Sequence, residues 1–211
     1  MYSKFENLAK EKKQKIIRVC IGEFSQHGYQ NASTNRIVKN AEISKGILFH
    51  YFGTKKSLYL YVLDYVLEFV TDKVYAKMVD LPADFFERVM ETGIIKLRIA
   101  HEYSAEYKMI LEAFTHPPAE LEQEIQARYK KLYQENLPLL FKDLDTSKFR
   151  EDIAEEKAVE IIMLTLEGIS DKYINMFKQI PSQEVMSKLE QLTQDYQAYI
   201  DILKYGIYEK N

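Results

Sequence analysis

Between Ser33 and Lys55 the chain concentrates hydroxyl, amide and cationic side chains at spacings suited to gripping a polyanion. The groups are Ser33-Thr34-Asn35, Ser44-Lys45-Gly46, His50-Tyr51 and Thr54-Lys55. Ser33, Ser44 and Thr54 can each cap a helix, and helix starts present free amides and the positive end of a backbone dipole. Thr34 and Lys55, lying at such starts, are placed for phosphate oxygens. Gly46 would let a backbone approach a duplex closely. Lys45 in a first helical turn opposes the dipole, so an external anion explains it better than helix stability does.

Other chemistry is poorly represented. No glycine spacing makes a phosphate loop, and no Gly-x-Ser-x-Gly elbow occurs. His101-Glu102 begins like a zinc-protease helix, but Ala105 stands where the second histidine is needed. Cys20 is the single cysteine, which excludes an intrachain disulfide and any multi-cysteine metal site. Its neighbours Ile17, Ile21 and Phe24 make it a small core side chain. Asn31-Ala32-Ser33 is formally a glycosylation sequon, but the charged amino terminus carries no apolar signal segment. We therefore expect no enzymatic activity, no catalytic residue, no metal and no cofactor, in a protein that stays in the cytoplasm and off the membrane.

The elements that must position these groups are helices. Apolar spacing of the 3.6 type recurs almost from end to end, and no segment alternates with period two between hairpin turns. With 46% apolar and 29% charged residues and only 7 Gly and 5 Pro in 211 residues, the expectation is an all-α protein of about nine helices. Ile17, Cys20, Ile21 and Phe24 form one stripe, and Gly28 ends that helix near His27. Short helices follow over Thr34 to Asn40 and Lys45 to Tyr51, joined by Ala41-Glu42-Ile43. This is the layout of a helix-turn-helix. Ile37 and Ala41 face inward from its first helix, Ile43 plugs the turn, and Leu48 and Phe52 face inward from its second. Lys45, Gly46, Ile47, Phe49, His50 and Tyr51 are left outside; His50, about 200° around the helix from Leu48, must be exposed. A fourth helix carries Leu58, Val62, Tyr65, Val66 and Phe69 as far as Asp80-Leu81-Pro82. Later stripes include Leu121 to Leu140, and two long helices close the chain, the last capped by Ser182 and carrying Leu189 and Leu192.

Charge divides the chain. Residues 1–62 hold eleven basic against four acidic side chains, while residues 63–211 hold 18 basic against 28 acidic. Only the first part suits a polyanion. With no Pro/Gly/Ser-rich linker, the two parts should share a packed interface. The expected division is a DNA-binding domain over 1–53 and an effector-binding and dimerisation domain over 54–211.

The run Gly28-Tyr29, Ser33-Thr34, Ile37, Ala41, Ile43-Ser44-Lys45-Gly46-Ile47-Leu48-Phe49-His50-Tyr51-Phe52, Lys55 and Leu58 resembles the signature of the TetR/AcrR family of one-component regulators. That resemblance implies a sequence-specific DNA-binding repressor, released from a palindromic operator by a small, largely apolar ligand. It makes Thr34 and Lys55 phosphate ligands. It places Asn35, Lys45, Gly46 and Ile47 near base edges and His50 and Tyr51 against backbone or bases. Three positions depart from the signature: Phe49 where Tyr is common, Glu42 where a turn Gly is usual, and Val38 where Ala is common. Glu42 brings a negative charge toward DNA and must accept a conformation that glycine favours.

The acidic part is rich in large adaptable side chains, including most of the 16 Tyr, 11 Phe and 7 Met. The resemblance implies a ligand pocket there, with Phe86, Met90, Tyr103, Tyr107, Phe114, Tyr129 and Met163 as candidates and Arg98, His101, Glu102 and His116 as polar contacts. It also implies a homodimer formed through the last two helices. The rival reading is a helical small-molecule or lipid-binding protein that does not bind DNA.

Overall fold

The computed structural model describes residues 2–136, 142 and 145–207, excepting the side chains at 182, 183, 186 and 189–193. Leu140 and the side chains of Ser182, Leu189 and Leu192, read above into apolar stripes and a cap, lie outside that description.

The described chain is all-helical, without a strand, and contains ten α-helices. They are α1 Ser3–Glu6, α2 Lys10–Asn31, α3 Thr34–Ala41, α4 Lys45–Phe52, α5 Lys55–Tyr75, α6 Phe85–Glu102, α7 Ser104–Thr115, α8 Glu122–Asn136, α9 Glu155–Phe177 and α10 Ser182–Ile207. A 3-10 turn, Ala119–Leu121, leads into α8. The element unforeseen from periodicity is α1, a single turn too short to show a stripe. It drives Phe5 into the space between Tyr51, Phe52 and Tyr61.

Gly28 leaves the helical path within α2, at φ 64° and ψ 177°, so the regular helix ends where the glycine was expected to end it. The helix α5 stops at Tyr75, short of the Asp80-Leu81-Pro82 break. Beyond it the chain tightens into turns closed by Lys77 N–H to Val74 O and Met78 N–H to Tyr75 O, both 3.0 Å. Such bonds satisfy helix-terminal carbonyls locally and end the α-helix before proline is reached.

The largest buried cluster runs from Phe5 through α2, α3, α4 and α5 to Ile99, Met109 and Ile125. Tyr59 of α5 sits edge-on to Phe24 and Tyr29 of α2, each ring pair 5.0 Å apart. The first helices and the rest of the chain therefore share a core across Gly53. A second cluster joins Phe85, Phe86 and Val89 of α6 to Ile162 and Leu166 of α9 and Ile200 of α10. A third gathers Ile169, Tyr173 and Phe177 of α9 with Val185. Between the first cluster and these two lies a cavity of about 440 Å³. Among the described residues no helix is long and apolar enough to cross a membrane.

Candidate nucleic-acid interface and internal cavity

The unit formed by α3 and α4 is held from three sides. Ile37, Ala41, Leu48 and Phe52 are buried, and Ile43 is half-buried in the turn. Ser33 caps α3 by accepting from Arg36 N–H, and Ser44 caps α4 by accepting from Ile47 N–H at 3.2 Å. Thr54 does the same for α5, accepting from Ser57 N–H at 3.0 Å. Caps of this kind stabilise by about 1 kcal/mol each, which matters for helices of two turns.

Glu42 occupies the left-handed region at φ 56°, ψ 44°, as the turn demands. Its carboxylate is not left facing outward alone: Lys15 Nζ donates to it at 2.5 Å, and this hydrogen bond holds the carboxyl below its ordinary pKa. The charge expected to repel DNA is thus paired within the head.

Glu23 was not foreseen from sequence. Buried on α2, it accepts from Ser33 N–H at 2.6 Å and takes a forked contact from Arg36, Nε at 2.9 Å and Nη2 at 2.6 Å. Arg36 Nη2 also donates to Asn31 O at 3.0 Å. Burial pushes the Glu23 carboxyl up, but the Arg36 and Ser33 donors outweigh it and hold the pKa below the ordinary value. This network ties the start of α3 to α2. A sequence signal existed in principle, the spacing that puts an acid on the inner side of α2, but it was hidden among surface charges.

Asn35, Lys45, Gly46, Ile47 and His50 are exposed, and Thr34 is half-buried in the first turn of α3. Lys45 has no ion-pair partner among the described residues. His50 Nε2 lies 3.2 Å from Lys4 Nζ. Tyr51 and Phe49 are half-buried rather than free on the outer face; α1 covers Tyr51, whose ring lies 5.6 Å from that of Phe5. Lys55 is also turned inward: its Nζ donates to Gln30 O at 3.0 Å and stands 5.0 Å above the Tyr29 ring. Neighbouring Lys56 pairs with Glu124 of α8 at 2.5 Å. Cys20 is fully buried, and burial pushes its thiol up to about 12, so it is inert as a nucleophile.

The cavity is walled by α5, α6, α7, α8, α9 and α10. Met90, Tyr107, Phe114 and Tyr129 line it. Phe86, Tyr103 and Met163 do not. Phe86 is buried against Phe85 and α9, and Tyr103 packs edge-on to Phe69 with Lys73 above its ring. Met163 is half-buried on α9 away from the lining. None of Arg98, His101, Glu102 and His116 reaches it either; His116 Nδ1 lies 2.8 Å from Thr115 Oγ1. The cation in the lining is Lys96, which periodicity alone did not single out because it sits beside Ile95 and Leu97 in a generally apolar helix.

The sequence model described as bacterial regulatory proteins, tetR family, matches residues 16–62, a span that holds most of α2, all of α3 and α4 and the start of α5. The HTH-type transcriptional regulator YuxN of Bacillus subtilis (strain 168) is 29% identical over 175 residues, 78% of this chain and 54% of YuxN. The chain thus spans about half the length of that relative. An HTH-type transcriptional regulator of Staphylococcus aureus (strain USA300) is 28% identical over 147 residues, 69% of this chain and 76% of its own. A TetR family transcriptional regulator from Chloroflexus aurantiacus J-10-FL shares the fold with a TM-score of 0.53 at 21% identity, covering 99% of this chain and 98% of that one. One from Marinobacter aquaeolei VT8 gives 0.60 at 18% identity, with 100% of each chain covered. Residues 16–62 thus match the helix-turn-helix segment of the tetR family of bacterial regulatory proteins, and the chain shares its all-helical fold with solved TetR family transcriptional regulators.

Proposed function

We propose that the protein acts in the cytoplasm as a dimeric repressor that reads a palindromic operator and leaves it when a small, largely apolar ligand fills the cavity. The observation that carries this reading is the doubly capped α3–α4 unit, which keeps Asn35, Lys45, Gly46, Ile47 and His50 exposed on a rigid support. In it Thr34 contacts phosphate through the first turn of α3, while Lys45, Gly46 and Ile47 approach base edges from the start of α4. Tyr51 and Lys55 contribute from half-buried positions: Tyr51 by its hydroxyl, and Lys55 after exchanging Gln30 O for a phosphate oxygen.

The head is the part up to Gly53 and the effector and dimerisation body the part from Thr54, with the two acting through their common core. Exposed apolar side chains on the last two helices, among them Ile161, Leu164 and Ile202, support pairing of α9 and α10 with a second copy. A two-fold dimer would set its recognition helices about 34–36 Å apart or a multiple of that. Ligand releases DNA only to the extent that it prefers the arrangement that DNA does not, and DNA weakens ligand binding by the same factor.

Selection of bound sequences from a random DNA pool by the purified protein should return an inverted repeat. In gel shifts on that sequence, Lys45→Ala should weaken binding and reduce its salt dependence while leaving the circular dichroism spectrum intact. A pool that yields no enriched sequence, together with tight binding of a small apolar ligand, would favour a carrier without DNA binding.

A further inference from the structure

The cavity lining is apolar over most of its area, yet its charge is one-sided. Lys96 of α6 is in it, while among the described residues no Asp, Glu, His or Arg is. Lys96 keeps accessible surface although protein surrounds it closely enough for desolvation to pull its pKa below the ordinary lysine value. Among the described residues it has no ion pair or hydrogen bond. Two further lining groups, the hydroxyls of Thr92 and Tyr133, are buried without a hydrogen-bond partner. Thr92 stands one turn before Lys96 on α6, and residues four apart on a helix share a face.

Buried donors without acceptors and a partly desolvated cation without a counter-ion are costly, and each cost falls when an acceptor of opposite charge enters. We propose that the cavity takes an amphiphilic monoanion, an apolar body ending in one carboxylate, with Lys96 meeting the charge and Thr92 donating to a carboxylate oxygen. Unpartnered Tyr133 supplies a further donor. A single positive charge neutralises a carboxylate fully but leaves half of a dianionic phosphate uncompensated among apolar walls, which selects the former. A volume near 440 Å³ falls within the roughly 300–1,000 Å³ of small-molecule sites. This assignment rests on the reading of the cavity as the effector site and adds the chemical class of its occupant.

The test uses the full-length protein, isothermal titration calorimetry and ten-carbon probes that differ only in the head group: decanoate, decanol, decylammonium and decyl phosphate. Decanoate should bind most tightly, and Lys96→Met should weaken it roughly 10- to 100-fold while decanol is unaffected and Lys96→Arg retains the preference. A thermal melt of each variant separates loss of binding from loss of fold. Equal affinity for decanol and decanoate, tighter binding of decyl phosphate or decylammonium, or an indifferent Lys96→Met would overturn the charge assignment while leaving the effector cavity standing. If none of the four probes binds the folded wild-type protein, the effector reading falls with it.

Discussion

At the scale of single residues, the chemistry expected of the head divides into side chains that are free to meet DNA and side chains already employed in holding the head together. Lys45 belongs to the first group; Arg36, Glu23 and Lys15 belong to the second, and Tyr51 and Lys55 stand between them. This changes how variants should be read. Tyr51→Ala would remove a ring that Phe5 leans on, so Tyr51→Phe is the substitution that isolates the hydroxyl. Glu23→Ala leaves the Ser33 amide without its acceptor and should destabilise the protein by on the order of 1–3 kcal/mol in urea unfolding. The effect has a pH signature. Because the folded Glu23 pKa is held below its ordinary 4.5, the contribution is fully present above that value and is lost as pH falls through the lower, folded one. Stability curves of the wild type and Glu23→Gln should therefore converge in acid and separate toward neutral pH.

At the scale of elements, the short helices of the head depend on their ends. Two turns of α4 bury only Leu48 and Phe52 deeply, so the Ser44 cap and the left-handed Glu42 before it set where the helix starts and hence where Lys45 points. Gly28 does a different task. With φ 64° and ψ 177° it lies in a region that side-chain-bearing residues avoid. A Cβ there would also stand 3.3 Å from Glu112 Oε1 of α7. Gly28→Ala should cost about 1–3 kcal/mol by denaturant melts, and more of the loss should appear in the contact of α2 with α7 than in the α3–α4 unit. Hydrogen exchange of the two segments would reveal the difference; equal protection loss would argue against it.

At the scale of the whole molecule, α7 touches both the proposed DNA-binding head and the proposed effector cavity. Ile110, Leu111, Phe114 and Thr115 face the cavity, while Glu112 on the same helix meets the bend at Gly28. On α8, Tyr129 and Tyr133 line the cavity and Glu124 grips Lys56 at the start of α5. Ligand-induced displacement of either helix would thus be felt by the head through packed side chains and an ion pair. The proposed dimer gives the outer side of α9 a purpose: Ile161 and Leu164 are 52% and 59% exposed, more than isolated surface apolars require. Leu164→Glu should convert the protein to a monomer in sedimentation experiments and abolish tight binding to the inverted repeat, with little change in thermal stability of the monomer fold. A variant that remains dimeric would move the interface elsewhere.

The local features were legible in the sequence because each depends on a few neighbouring residues. Ser33, Ser44 and Thr54 announce helix starts, Gly28 announces a break, and Ile37, Ala41, Leu48 and Phe52 show an inner face by spacing alone. The helix-turn-helix and the all-helical class follow from such signals. What joins distant parts was decided only by tertiary structure. Phe5 closes over Tyr51 from a turn too short to leave a periodic trace, and Glu23 reaches across to Ser33 and Arg36. Aromatic residues of similar type were separated by packing into cavity walls at Tyr107 and Tyr129 and buried or surface-bracing roles at Phe86 and Tyr103. Most of all, Lys96 reads in sequence as one more solvated lysine; only the packing of α5 to α10 around it leaves a cation facing an apolar cavity, because burial and partnership belong to the fold and not to the residue.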